Sequence, residues 1–205
     1  MPIGRFIAFE GGEASGKSTQ AARLASALGA VLTREPGGTE LGQHIRELVL
    51  GAGVAEGVDV RAEALLLAAD RAQHVASVIR PALVSGRDVV TDRYAGSSLA
   101  YQGYGRGLDV ADIRGLSDWA SGSLWPDLVI LLDVPAEVAQ RRLASSGVGL
   151  DRLEAAGDEF HQRVAGGFRE LAASCPETWR VIDGSRAVDE VSAEVMEVVS
   201  AFFAA

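Results

Sequence analysis

Lysine occurs once in the 205 residues, at position 17, and asparagine does not occur at all. Without asparagine or a second lysine, the chain has no Asn-Lys-x-Asp type of guanine reader, which argues against a GTPase switch. Cysteine is also single, so Cys175 can form no internal disulfide, which fits a reducing, cytoplasmic setting. The three histidines, His44, His74 and His161, lie too far apart for a metal-ligand spacing and are expected to be ordinary surface or helix residues. No apolar run reaches the ~20 residues needed to span a bilayer. The N-terminus enters a strand almost at once, which leaves no room for a signal peptide. Positive charge is short as well. A net charge of −9 argues against nucleic acid or an anionic membrane as the main partner. The expectation is a cytoplasmic protein that acts on small molecules.

What is present begins with hydrophobic content of 48%, ample for the core of one α/β domain over residues 1–205. The lone lysine falls inside Gly11-Gly12-Glu13-Ala14-Ser15-Gly16-Lys17-Ser18, which fits the template G-x-x-x-x-G-K-[ST]. Phe6-Ile7-Ala8-Phe9 before it is strand-like. Ala21, Ala22, Leu24, Ala25 and Leu28 after it have helical spacing. A strand, a glycine loop and a helix are the context in which this motif holds phosphate. Glycine lets backbone N–H groups wrap around phosphate oxygens, and the helix N-terminus adds partial positive charge. Lys17 would reach the β- and γ-phosphates of a nucleotide, and the Ser18 hydroxyl would sit on Mg²⁺. Arginine cannot readily replace a compact ammonium in this loop. The nucleotide site is expected to span Gly11 to Thr19.

Further along, the spacing predicts strands over 30–33, 88–92, 128–133 and 179–183. Helices are predicted over about 39–50, 61–85 with a bend near Pro81, 110–121, 135–144, 158–173 and 188–203. The stretch that follows Asp92-Arg93-Tyr94, through Gly107, is polar and glycine-rich. Leu128-Val129-Ile130-Leu131-Leu132 is the most apolar strand, as suits one buried on both faces. Strands alternating with helices imply a mainly parallel, doubly wound sheet in one domain, without repeats. In such sheets ligands sit at the carboxyl ends of the strands. The phosphate loop, Arg34-Glu35-Pro36, Asp92-Arg93 and Asp133 should therefore share one rim. A second anion-binding cluster facing the phosphate loop favours a small-molecule kinase over a regulatory nucleotide-binding module.

Several segments together resemble bacterial thymidylate kinases. They are the phosphate loop with Glu13, Arg34-Glu35-Pro36-Gly37-Gly38-Thr39, Ala69-Asp70-Arg71, Asp92-Arg93-Tyr94, Ala100-Tyr101-Gln102-Gly103, Gly105-Arg106-Gly107 and Asp151-Arg152-Leu153-Glu154. They run in order over nearly the whole chain. The resemblance implies the P-loop kinase fold, with five parallel strands covered by helices on both faces and a small lid at about 142–155. It also implies transfer of the ATP γ-phosphoryl to dTMP with Mg²⁺, and a homodimer. Another nucleoside-monophosphate or deoxynucleoside kinase is the alternative.

Residue roles follow from the same resemblance. Arg93 and Arg46 would grip the dTMP phosphate, and Asp92 would organise Mg²⁺ waters and the acceptor. Glu13 would read the 3′-hydroxyl, and Tyr101 would pack under the sugar and exclude a 2′-hydroxyl. Arg71 and Gln102, with Ser97 or Ser98, would read thymine, and Glu35 and Pro36 would line the same site. The chain departs from the family at two places. Ala14 stands where part of the family has a catalytic arginine, and the lid is poor in arginine. Arg142 and Arg152 are then the candidates for that charge, with Arg141 less favoured. Leu67 stands where the family usually stacks a phenylalanine on the base.

Overall fold

The computed structural model describes residues 3–51, 57–146 and 151–204. Its single sheet holds β1 (Phe6–Glu10), β2 (Val31–Arg34), β3 (Val89–Asp92), β4 (Leu128–Asp133) and β5 (Trp179–Asp183). The strands are all parallel, in the order β2-β3-β1-β4-β5. Central β1 is buried at every residue, with Ile7 registered on Val90 of β3 and on Leu128 of β4. The period-2 alternation of a strand divides its side chains between two cores. Ile7 and Phe9 join Val90, Leu128, Ile130 and Leu132 beneath α1 (Lys17–Leu28) and α9 (Val188–Ala204). Phe6 and Ala8 face Val75, Ile79 and Tyr94 on the other side. There Leu131 also meets Val164, Phe168 and Leu171 of α8 (Asp158–Ser174). Full burial of each large apolar side chain is worth about 1.5–3 kcal/mol. Burial on both faces therefore explains the unbroken apolar run of β4, while edge strands β2 and β5 carry exposed positions.

Helix α2 (Glu40–Leu50) starts where predicted, because the Thr39 hydroxyl accepts the Gly42 N–H at 3.0 Å. The long helix expected at 61–85 is α3 (Val60–His74), a π turn over Val75–Ile79 and α4 (Arg80–Val84). Across the turn the Arg80 N–H reaches back to the Val75 carbonyl. Pro81 has no N–H and its ring crowds the carbonyl four residues earlier, so a wider turn before it lets the helix continue.

The polar, glycine-rich stretch between Tyr94 and Gly107 carries regular structure to which the sequence alone assigns no element. The segment is helical, as α5 (Ala95–Ser98) running into a π segment at Leu99–Gly105. Its glycines serve close packing rather than turning. A Cβ on Gly105 would come within 2.7 Å of the Phe160 ring, and one on Gly103 within 3.1 Å of Val110. Helices α6 (Val110–Ser121) and α7 (Ala136–Ser146) complete the described elements. Among the described residues no helix is long and apolar enough to cross a membrane.

Candidate active site

Parallel strands bring Glu10, Arg34, Asp92 and Asp133 to one rim, as expected from the sequence. The phosphate loop leaves β1 there. Its conformation needs small residues, since φ is +142° at Gly11, +52° at Ala14 and +95° at Gly16. A Cβ on Gly11 would also lie 2.5 Å from the Leu132 carbonyl oxygen. Lys17 is 6% exposed and donates to the Gly12 carbonyl at 2.6 Å and to Ser15 Oγ at 3.1 Å. Burial, and then the charge of Arg93, pull its pKa down to about 8. Ser18 Oγ donates to Asp92 Oδ2 at 2.5 Å, while the buried Asp92 Oδ1 has no partner among the described residues. A hydroxyl oxygen beside a vacant carboxylate oxygen is the kind of hard donor pair that Mg²⁺ takes, with phosphate and water completing its shell. Ala14 to Thr19 line this polar compartment of about 770 Å³ together with Glu13, Arg34, Glu35, Arg46, Asp92 and Arg93.

Arg93 lies where the polar compartment opens into a second one of about 570 Å³. Its backbone is left-handed, at φ +69°, an uncommon conformation for a residue with a side chain. Nη1 donates to the Gly11 carbonyl at 2.9 Å and Ser97 Oγ at 3.1 Å. Nη2 donates to Glu13 Oε1 at 2.7 Å and to the Tyr101 hydroxyl at 3.2 Å. Burial alone would raise the Glu13 pKa, but Arg93, Lys17 and the Tyr101 hydroxyl outweigh it and hold the group at about 2. Burial pushes Tyr101 far above the usual phenol range, so its hydroxyl stays protonated and donates to Glu13 at 2.6 Å. The Tyr101 ring is clamped edge-on by Phe160 and Phe168 at 6.0 and 6.1 Å. Arg46 also borders both compartments and donates to the Pro36 carbonyl at 3.2 Å. The Glu35–Pro36 peptide is cis.

The second compartment gathers Pro36, Leu67, Arg71, Ser97, Ser98, Tyr101 and Gln102 from four different elements and connections. Arg71 is 3% exposed and fully oriented. Nε donates to Glu35 Oε2 at 3.0 Å, Nη1 to Ser117 Oγ at 3.2 Å and Nη2 to Ser98 Oγ at 2.9 Å. Leu67 lines the compartment one helical turn before it. Ser97 Oγ donates to Glu10 Oε2 at 2.6 Å. Gln102 is 1% exposed, with its Nε2 donating to Glu63 Oε1 at 2.8 Å.

The two candidate arginines part company. Arg142 on α7 donates to the Ala14 carbonyl at 3.2 Å and to Ser185 O at 3.3 Å, which places it on the phosphate loop. Arg152 is not brought there. It donates to the Val49 carbonyl at 2.7 Å and to Glu63, at the far side of the second compartment. Buried Glu63 attracts it because an unpaired buried carboxylate is costly. Of the lid expected at about 142–155, residues 147–150 lie outside the described residues. Its last part is a tight turn in which Asp151 Oδ1 accepts the N–H groups of Leu153 and Glu154, each at 2.8 Å.

A family model for thymidylate kinase matches residues 9–195. The chain belongs to the thymidylate kinase family. It is 52% identical over 197 residues to the thymidylate kinase of Leifsonia xyli subsp. xyli, covering 94% of this chain and 92% of that one. It is 49% identical over 199 residues to that of Bifidobacterium longum strain NCC 2705, covering 94% and 95%. The crystal structure of thymidylate kinase from Ehrlichia chaffeensis superposes with a TM-score of 0.78 at 33% identity, over 97% of this chain and 99% of that one. The fold is therefore the P-loop kinase fold, and the family's members are nucleoside-monophosphate kinases that use ATP as phosphoryl donor.

Beside the residues expected for a thymidylate kinase, the cleft uses others that the sequence did not single out. His74, expected to be an ordinary surface or helix residue, is the last residue of α3. It is fully buried, 2.9 Å from Glu35 Oε1 and 2.6 Å from Thr33 Oγ1, and so fixes the acid that orients Arg71. Ser117 holds the other side of Arg71. A serine four residues after Ile113 on the buried stripe of α6 was the available signal. Glu63 stands two turns before Arg71, on the helical stripe Glu63, Leu67, Arg71, which was legible once Leu67 had been placed.

Proposed function

We propose that this chain transfers the γ-phosphoryl group of ATP to dTMP, giving ADP and dTDP, in one domain over residues 1–205. The observation that carries this reading is the joining of two compartments at Arg93 and Arg46. One is polar and lined by the glycine loop with Lys17 and Ser18, and the other is lined with apolar and hydrogen-bonding groups that include Leu67, Arg71, Ser98 and Gln102. A phosphate oxygen of dTMP attacks the γ-phosphorus while the bond from phosphorus to the β–γ bridging oxygen breaks. The acceptor oxygen is already anionic, so positioning and charge neutralisation supply most of the catalysis.

Lys17 and the N–H groups from Gly11 to Thr19 hold the ATP phosphates. Arg93, with Arg46 beside it, grips the acceptor phosphate in the bidentate manner to which guanidinium is suited. Arg142 brings the further positive charge that Ala14 lacks. Ser18 and Asp92 would hold Mg²⁺, which would help to neutralise the charge of the ATP phosphates. Glu13 accepts the 3′-hydroxyl of the sugar, and Tyr101 packs against it. Arg71 and Gln102 read the base, with Ser98 orienting Arg71 and Leu67 against the ring.

A homodimer belongs to the same reading. Leu41 and Leu48 of α2, Leu65 of α3 and Trp119 of α6 are 49%, 48%, 59% and 83% exposed, on helices that pack side by side. An apolar group of this kind suits an interface between copies. The test of function is ADP release with dTMP as acceptor in the native protein and in Lys17→Ala. The native protein should turn over and the variant should fold but lose turnover. A variant with native kcat would contradict the assignment of the phosphate site.

A further inference from the structure

Gln102 carries an amide whose two ends are chemically opposite, and nothing in its own chemistry decides which end faces a ligand. The neighbour that touches it does. Glu63 is wholly buried yet bonded on both oxygens. Oε1 accepts Gln102 Nε2 at 2.8 Å and Arg106 Nε at 3.3 Å. Oε2 accepts Arg106 Nη2 at 3.2 Å and Arg152 Nη2. Burial alone would raise its pKa, but the bonds from Gln102, Arg152 and Arg106 more than offset this and hold it below the usual carboxylate range. An ionised carboxylate can only accept. The amide nitrogen must therefore turn to Glu63, and the amide oxygen must turn away. Gln102 lines the second compartment, and its Oε1 is buried with no partner among the described residues.

We propose that Glu63 is a specificity-determining positioning residue that fixes the Gln102 amide so the compartment presents an acceptor to the base. The inference rests on the proposed reading of that compartment as the nucleoside site. A base with a ring N–H at that position, such as the imide of thymine or uracil, donates to Oε1. Cytosine presents a lone pair from its ring nitrogen there, and two acceptors would face each other in a dry wall. A buried polar group left unpaired is what lets a site reject a near-isosteric ligand strongly. The Glu63 carboxylate keeps the amide from flipping, and Arg152, anchored independently of Arg106, continues to offset its buried charge when Arg106 is replaced. Arg152 also ties this device to the end of α2 through the Val49 and Leu50 carbonyls.

The test compares kcat/KM for dTMP and dCMP in the native enzyme and in Glu63→Gln and Glu63→Asp. Glutamine can both donate and accept, so it lets the Gln102 amide take either orientation; aspartate withdraws the carboxylate by one methylene. In both, the preference for dTMP over dCMP should fall by about 10-fold or more, with KM for dTMP rising more than its kcat falls. Arg106→Gln perturbs the same cluster but leaves the Gln102–Glu63 bond, and should keep the native preference. A native preference in the Glu63 variants overturns the proposal, as does an equal loss in Arg106→Gln. If neither Glu63 variant folds, the side-chain amide protons of Gln102 in the native protein decide. They should exchange slowly before dTMP is added, and free exchange overturns the proposal. A native enzyme that leaves dTMP unused while phosphorylating another nucleotide would instead overturn the function on which the inference rests.

Discussion

Glu13 of the phosphate loop and Arg93 beyond β3 stand 80 residues apart in sequence and pair at 2.7 Å in the cleft. The same guanidinium also donates to Gly11 O, Ser97 Oγ and the Tyr101 hydroxyl. One flat fork therefore ties together the phosphate loop, α5 and the π segment that carries Tyr101. Lysine keeps the charge but not the fork. Arg93→Lys should lower kcat/KM for dTMP by about 10²-fold or more, the scale seen when one preorganised transition-state donor is lost. Steady-state kinetics with dTMP varied at saturating ATP checks this.

Arg142 and Arg152 should behave differently. Arg142 touches the phosphate loop at Ala14, whereas Arg152 is held by Glu63 and the end of α2. Arg142→Ala should lower kcat and kcat/KM together, leaving dTMP affinity little changed, because its charge is needed mainly in the transition state. Arg152→Ala should act mainly through KM for dTMP. Measuring both parameters on both variants checks the assignment.

Leu67 lines the nucleoside compartment beside Arg71. An aromatic stack is worth about 0.5–1.5 kcal/mol beyond burial. Leu67→Phe should then tighten dTMP by about 2- to 10-fold, seen as a lower KM at nearly constant kcat. A variant that loses thermal stability with unchanged KM would mean that the larger ring overpacks the helix interface.

Asp70 sits between Glu35 and His74, with Oδ1 accepting the Gly37 N–H at 3.2 Å and Oδ2 unpartnered among the described residues. Burial, and then the charge of Glu35, raise its pKa to about 6. A folded-state pKa above the unfolded one means that ionisation opposes folding. Stability should therefore fall as pH rises from about 4 to about 6, by roughly 1–3 kcal/mol. Asp70→Asn should lack that fall, being more stable than the native protein at pH 7 and no more stable at pH 4. Denaturant titrations at the two pH values check it.

The frame of this molecule was legible because its signals are local. Phe6 to Leu28 reads as strand, glycine loop and helix without any partner, and the apolar run of β4 announces two-sided burial. Parallel topology then carries Arg34, Asp92 and Asp133 to one rim. The supports of Arg71 were not legible in the same way. Ser117 becomes its neighbour only because α6 packs against α3, and His74, one turn after Arg71 on α3, supports it only through Glu35 beyond β2; neither link is encoded by residue spacing within one helix. The π segment was missed because glycine signals both turns and close approach, and Gly105 proves to serve the second against Phe160. Arg152 was misplaced for a related reason, since its partner Glu63 lies 89 residues away.

The most direct test of the account is ADP release by the native protein with dTMP, dUMP, UMP, dCMP and thymidine compared as acceptors. The expected result is the highest kcat/KM for dTMP, weaker use of dUMP, and little or no turnover of UMP, dCMP and thymidine. ADP release that is indifferent to dTMP, or faster with another of these acceptors, would contradict it.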